Sequence, residues 1–316
     1  MTDQLTELYT AAHSYYVEGE TMETIARDMG VSRSTVSRML SRARENGVVR
    51  ISLVEPPASQ SRLAAKISSH FNVKVHLVEV PDEAPIGARL RSVTSYASQI
   101  LSALIFDGAR LGIAWGVTVA HMARQMTPRH MAGVQVVQMN GSAHAKDTGL
   151  PYVGSILQAF AEAFNGTVVP FTVPAFFDHV ETRRLMWQER SVKLILEELE
   201  QLDLAVFGVG ALTARVPSHV YSSGYLSAGE VMRAQRQGAV GDVCTILIRE
   251  DGSYDNIDLN ERATGMTPDQ LARIPRRMCV VGDPSRARVL LGALRSGAVS
   301  DLVCDGQTAK NLLSLI

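Results

Sequence analysis

Cysteine is scarce in this chain of 316 residues, with three in all. Cys244, Cys279 and Cys304 sit in apolar, strand-like runs without metal-ligand spacing. That excludes a zinc-type cluster and fits buried free thiols in a reducing compartment, so the chain is expected to be cytoplasmic. No apolar run approaches the ~20 residues that span a bilayer. Nor is a charged segment followed by an apolar stretch seen at the amino end, so neither membrane nor secretion is expected. An excess of one charge is also missing: 31 Lys and Arg face 32 Asp and Glu, for a formal net charge of −1. A uniformly basic coat for nucleic acid is thereby excluded. P-loop, Ser-His-Asp order, internal repeats and low-complexity tracts are absent as well. What is present is a globular composition, 46% apolar and 20% charged, at a length that suggests two domains.

The most informative stretch is Met22–Leu40, which reads as helix, glycine turn and second helix. Ile25 and Ala26 fall where the first helix turns inward, Met29 closes it, and Gly30 supplies the positive φ of a tight turn. Val31 is expected to plug the corner and Ser32 to cap the following helix, on which Val36, Met39 and Leu40 face back. Small Ala26 lets the two helices cross closely. The outer face then carries Arg33, Ser34, Thr35, Ser37, Arg38, Ser41 and Arg42, types that donate to phosphate oxygens and base edges. Ser32, Arg33, Ser34, Thr35, Ser37, Arg38 and Arg42 form the candidate DNA-reading set. Between Val31 and Arg50 five arginines oppose Glu45 alone, about +4 on a nearly neutral chain. Leu5, Leu8, Tyr9 and Ala12 predict a leading helix packed on this motif. Val48–Val54 alternates like a strand, and Glu55-Pro56-Pro57-Ala58-Ser59 is expected to break regular structure as a stiff linker. The predicted domains are therefore 1–55 and 56–316.

Beyond the linker, short apolar runs alternate with amphipathic helices, the pattern of a parallel α/β sheet covered on both faces. Predicted strands are Val75–Val80, Arg110–Ala114, Val134–Met139, Leu204–Val209, Met278–Val281 and Asp301–Cys304, with Val168–Val173 and Cys244–Ile248 as further candidates. Several end in glycine turns that would gather along one sheet edge, where ligands of open α/β sheets bind. Gly116-Val117-Thr118 is the candidate anion cradle. Gly208-Val209-Gly210 lacks the third glycine of a dinucleotide site and reads as a turn that keeps side chains out of a pocket.

The helix-turn-helix, Leu111–Thr118, Asn140-Gly141, Gly208–Gly210, Ser223–Ser227, Gly238–Asp242 and Asp305–Leu312 together resemble the SorC family of bacterial transcriptional regulators. The resemblance runs nearly end to end. It implies a Rossmann-like effector domain similar to sugar-phosphate isomerases and deaminases, binding a sugar, polyol or sugar phosphate. It also implies a homo-oligomer, dimer or tetramer, on double-stranded operator DNA, with no cofactor. By that resemblance Gly116 and Thr118 would hold a phosphate or terminal hydroxyls, Asn140 and Gly141 would border the sugar, and Asp242 would accept from its hydroxyls. Gly282 and Arg286 would close the site. Here the chain departs from the family's Gly-Gly-x-x-Lys, reading Gly282-Asp283-Pro284-Ser285-Arg286. Arg286 keeps the positive charge while Asp283 opposes it, which makes an uncharged polyol a competitor to an anion. Lys310 reads as a solvated surface lysine.

Two other functions remain open at this point. A regulator could sense a non-sugar metabolite such as a nucleoside. An isomerase or deaminase would need a carboxylate beside an acid, for which only His144 with Asp147 and Asp178 with His179 offer themselves. Both pairs lie in polar, loop-like stretches that read as solvated, and the chain is expected not to be an enzyme.

Overall fold

The computed structural model describes residues 2–46, 48–49, 57–142, 150–214, 218–222 and 224–316. Most of the expected Val48–Val54 strand, Pro56 of the linker, the His144 and Asp147 pair and Ser223 lie outside the described residues. The chain divides into two compact units, Met1–Val54 and Glu55–Ile316.

The first unit holds helices α1 (Thr2–Tyr16), α2 (Met22–Asp28) and α3 (Arg33–Glu45). Local chemistry sets the boundaries. Thr21 caps α2 through the Thr24 N–H, and Ser32 caps α3 through the Thr35 N–H, each cap contributing ~0.5–2 kcal/mol. Gly30 takes φ +66°, and the Gly30 and Val31 N–H groups donate to the carbonyls of Arg27 and Ala26 at 3.2 and 2.9 Å. These are the paired bonds that close a helix on a left-handed glycine. It is thus the backbone of Val31 that seals the corner; its side chain, expected to plug it, is 37% exposed. The core is Leu8, Ala11, Ala12, Ile25, Ala26, Val36, Leu40 and Ala43. Leu5 and Tyr9, expected inside, are exposed. Tyr9 follows Leu8 directly and is turned ~100° from it around the helix, whereas Ala11, Ala12 and the half-buried Tyr15 fall back on Leu8's side.

Among the described residues the second unit contains ten strands: β1 (Lys74–Val78), β2 (Arg110–Ile113), β3 (Gln135–Gln138), β4 (Thr167–Val169), β5 (Leu204–Phe207), β6 (Val209–Ala211), β7 (Ala239–Val243), β8 (Ile246–Arg249), β9 (Arg276–Val281) and β10 (Asp301–Asp305). Its helices are α4 (Pro57–Phe71), α5 (Ile86–Leu104), α6 (Val117–Ala123), α7 (Leu150–Phe164), α8 (Val180–Met186), α9 (Arg190–Glu200), α10 (His219–Ser222), α11 (Ala228–Arg236), α12 (Pro268–Ala272), α13 (Ala287–Arg295) and α14 (Gly306–Leu313). Pro57 is therefore the first residue of a helix and not part of a linker. A proline there loses no hydrogen bond, and its fixed φ suits the first helical turn.

Seven strands form a parallel sheet in the order β1-β10-β9-β5-β2-β3-β4. Side chains alternate strictly across it. Ala205, Phe207, Cys279, Val281, Leu302 and Cys304 enter one core, with α4, α9, α13 and α14 supplying Ile67, Val192, Leu290 and Leu312. Leu204, Val206, Met278, Val280 and Val303 enter the other, against Val93 and Leu101 of α5, Met122 of α6 and Phe160 of α7. Burial on both faces is why these strands read as continuous apolar runs.

Three runs depart from expectation by more than a shift of a residue or two at their ends. Val168–Val173 stops at Val169, because Pro170 has no N–H to continue the ladder. Leu204–Val209 divides at Gly208, and its far end, β6, joins a separate antiparallel sheet β6-β7-β8. Cys244–Ile248 begins as a turn, since Cys244 and Thr245 sit at φ +50° and +68° between β7 and β8. The second sheet, and β7 within the Gly238–Asp242 motif, were not foreseen from the pattern.

Candidate functional site

Of the expected outer face, Ser32 at the cap and Arg33, Ser34, Ser37, Arg38 and Arg42 on α3 are exposed, as are Arg44 and Glu45, while Thr35 and Ser41 are half-buried. Ser32 Oγ lies 2.8 Å from both Ser34 Oγ and Thr35 Oγ1, which fixes the hydroxyls at the helix start. Arg33 pairs with Glu23 of α2 at 2.7 Å, with both side chains well exposed. Arg38 Nε reaches only its own helix, at the Ser34 carbonyl (3.4 Å). Arg38 and Arg42 thus present guanidinium groups to solvent from one short helix, as phosphate contact and major-groove reading require.

In the second unit the chain runs outward from β2 to β3 and β4, then returns to lay β5 on β2's other side. Beyond the carboxyl ends of β2 and β5, at this reversal, lies a cleft of about 60 Å³. Its walls include Trp115–Thr118, Asn140, Gly208–Gly210, Ser218, His219, Asp242, Cys244, Thr245 and Arg286. Asn140 is buried; its backbone carbonyl accepts from Gln138 Nε2 (2.7 Å) and Trp115 Nε1 (3.3 Å). Its side-chain Oδ1, also buried, has no partner among the described residues. Asp242 is buried too, with Oδ1 accepting from Tyr221 Oη (2.5 Å) and Oδ2 from the Thr245 N–H (3.0 Å). Burial raises the Asp242 pKa, against the Tyr221 and Thr245 hydrogen bonds and the Arg286 charge, which pull it down. Burial, and then the Asp242 charge, pushes the Tyr221 phenol well above its ordinary value.

Two features show that the backbone is shaped around this carboxylate. A Cβ on Gly210 would stand 1.9 Å from Asp242 Oδ1. The Cys244-Thr245 turn keeps a β-branched residue at positive φ, a conformation worth ~1–3 kcal/mol of strain, and that turn delivers the Thr245 N–H to Asp242. Arg286, expected to grip an anion, is already engaged. It donates to the Val209 carbonyl (2.6 Å) and Ser218 Oγ (2.9 Å), with Asp283 Oδ2 at 3.4 Å from its Nε.

Of the expected effector residues, Gly116, Thr118, Asn140, Asp242 and Arg286 meet in this cleft. Gly141 and Gly282 do not line it; packing explains both. A Cβ on Gly141 would come within 2.3 and 2.5 Å of the Pro174 and Val173 carbonyl oxygens, and one on Gly282 within 3.0 Å of the Leu90 backbone in α5. Asp178 and His179 are exposed, and Lys310 stands 3.4 Å from Asp82. Sequence reasoning missed Tyr221, Ser218 and Thr245, single hydroxyls in irregular segments that no spacing distinguishes. The cleft is flanked by an aromatic group, in which Trp115 stacks on Tyr225 at 5.3 Å and His219 lies 5.0 Å from Tyr152.

A family model described as "Putative sugar-binding domain" matches residues 55–314. The chain belongs to the SorC/DeoR family of transcriptional regulators. A second model, "Sigma-70, region 4", matches residues 14–46, across α2 and α3. This SorC/DeoR-family chain is 29% identical to the Deoxyribonucleoside regulator of Bacillus subtilis (strain 168), over 96% of each protein. It is 37% identical to a crystallised domain of "a possible sugar-binding transcriptional regulator" from Arthrobacter aurescens TC1, with a TM-score of 0.75 over 80% of this chain and 97% of that one. The full-length sorbitol operon regulator SorC of Klebsiella pneumoniae shares the fold, at 22% identity and a TM-score of 0.73 over 98% of both chains. These relatives are transcriptional regulators and not enzymes. The SorC/DeoR chain is accordingly a regulator that binds DNA through its helix-turn-helix and carries an effector domain of the sugar-binding type. Among its described residues no helix is long and apolar enough to cross a membrane.

Proposed function

We propose that this regulator controls genes of carbohydrate use, with α3 reading operator DNA and a hydroxyl-rich effector in the cleft setting how tightly it holds. One observation carries the effector reading: Asn140 Oδ1 is buried without a donor, in the cleft that also holds the Asp242 carboxylate. A buried acceptor left unmatched costs ~1–3 kcal/mol, which a ligand hydroxyl donating to it recovers. Sugars, polyols and sugar phosphates carry such donors in series. At about 60 Å³ the cleft is far below the ~300 Å³ at which pockets for larger ligands begin. An effector that favours one arrangement of the walls biases the conformational equilibrium. On the DNA, two copies would present their α3 helices to successive major grooves, ~34 Å apart.

A nucleoside is the second reading. It is favoured by the aromatic group beside the cleft, against which a base could stack, and by the name of the Bacillus relative, a deoxyribonucleoside regulator. Differential scanning fluorimetry with pentitols, hexitols, their phosphates and deoxyribonucleosides separates the two. The sugar reading expects stabilisation of ~2.7 kcal/mol at a hundredfold excess over Kd, lost in Asp242→Ala and Asn140→Leu. Stabilisation by deoxyribonucleosides alone would replace it with the second reading.

A further inference from the structure

A cavity more spacious than the effector cleft lies elsewhere in the second unit. Facing α8, α9 and α12 lies a cavity of about 420 Å³, within the range that holds whole small molecules. Its apolar wall is formed by Leu199, Met266 and Ile274, and two arginines, Arg183 and Arg273, look into it. Neither arginine has a carboxylate partner among the described residues. Arg183 lies with its guanidinium carbon 4.6 Å from the centre of the Trp187 ring, and its Nε is buried without a hydrogen-bond acceptor. A guanidinium offers five donors and is costly to withdraw from water unmatched. Burial also lowers the Arg183 pKa, an effect an anion would reverse. Glu200 stands on the rim and forms no ion pair with either arginine.

We infer that this cavity is a second ligand site that takes a small organic monocarboxylate. Its carboxylate accepts from Arg183, with Arg273 adding charge at the rim, and its apolar body lies against Met266, Leu199 and Ile274. The site shares a strap of chain with the effector cleft. A Cβ on Gly265 would stand 1.6 Å from the Cys244 carbonyl oxygen, so the cavity's Thr264–Met266 wall is seated directly on the turn that supports Asp242. On that strap Thr264 Oγ1 also accepts from the Gly141 N–H at 3.1 Å, next to Asn140.

The chain has two tryptophans, and each reports on one cavity. In full-length Trp115→Phe protein, emission therefore comes from Trp187. Titration with phenylacetate is expected to give a saturable change. Arg183→Gln weakens it about tenfold or more, as loss of a charge-assisted hydrogen bond should. Arg183→Lys keeps part of the affinity, and the neutral isostere 2-phenylethanol binds at least tenfold more weakly than phenylacetate. Arg273→Gln, at an exposed position, gives a smaller loss and serves if Arg183→Gln does not fold. Equal binding of 2-phenylethanol, unchanged affinity in the arginine variants, or no saturable signal into the millimolar range would each overturn the assignment. So would an altered oligomeric state of Arg183→Gln by light scattering without phenylacetate binding, which would make the cavity an interface between copies.

Discussion

The two units place their polar chemistry in opposite ways. On α3 the arginines stand outside, on a convex surface in water, over a core in which four of eight residues are alanine. In the second unit Asn140 and Asp242 are turned inward, behind a sheet apolar on both faces. The difference follows from the partners. A polyanion is met by exposed cations that displace its counterions, so such binding weakens steeply with salt. A small hydroxylated molecule is met by desolvated acceptors, where each hydrogen bond counts for more and salt matters little.

The largest expected break in this contrast comes from the thin core of the first unit. Leu40→Ala should cost ~2–5 kcal/mol, enough to unfold a unit of this size. Calorimetry should then lose one transition and keep that of the second unit, with operator binding gone; a single shared transition would show that the units do not fold separately. Gly141→Ala works on the other side. Its Cβ meets two carbonyl oxygens, an overpacking worth ~1–3 kcal/mol or more, so the second unit's transition falls while α3 is untouched. Arg38→Ala should weaken operator binding by ~1–3 kcal/mol if the guanidinium reads a base. In anisotropy titrations against salt, a specificity loss marks base reading and a uniform loss marks phosphate contact.

The smallest effect is acid lability of the second unit. Burial would raise the Asp301 pKa, but His76, Ser300 and a two-pronged Arg276 hold it down to about 2. A carboxyl depressed on folding stabilises above its unfolded pKa of about 3.8 and loses that contribution as pH falls from there through about 2. Melting temperature should drop across that window in wild type and be flatter in Asp301→Asn.

The sequence was most legible where burial on both faces forces a continuous signal. β5 is apolar throughout, β9 and β10 carry the apolar stretches Met278–Val281 and Leu302–Cys304, and the helix-turn-helix is fixed by cap, glycine and apolar spacing together. It was least legible where one residue type serves two purposes. Gly141 and Gly282 look like site glycines and are packing glycines, while Gly210 is a glycine because Asp242 needs the space. β7 was hidden because the glycines of Gly238-Ala-Val-Gly-Asp242 interrupt its apolar alternation, yet it pairs on both edges with short antiparallel partners. Tyr221 and Thr245 support Asp242 through contacts that only the folded backbone creates.

An occupied cleft is expected to change the grip of α3 on DNA. Operator affinity should be measured by fluorescence anisotropy at fixed salt, with and without a polyol or sugar phosphate that stabilises the protein. Coupling of the usual size predicts a 5–150-fold change in wild type and none in Asp242→Ala, whose affinity without ligand stays that of wild type. A ligand that binds the cleft yet leaves operator affinity unchanged in wild type would contradict it.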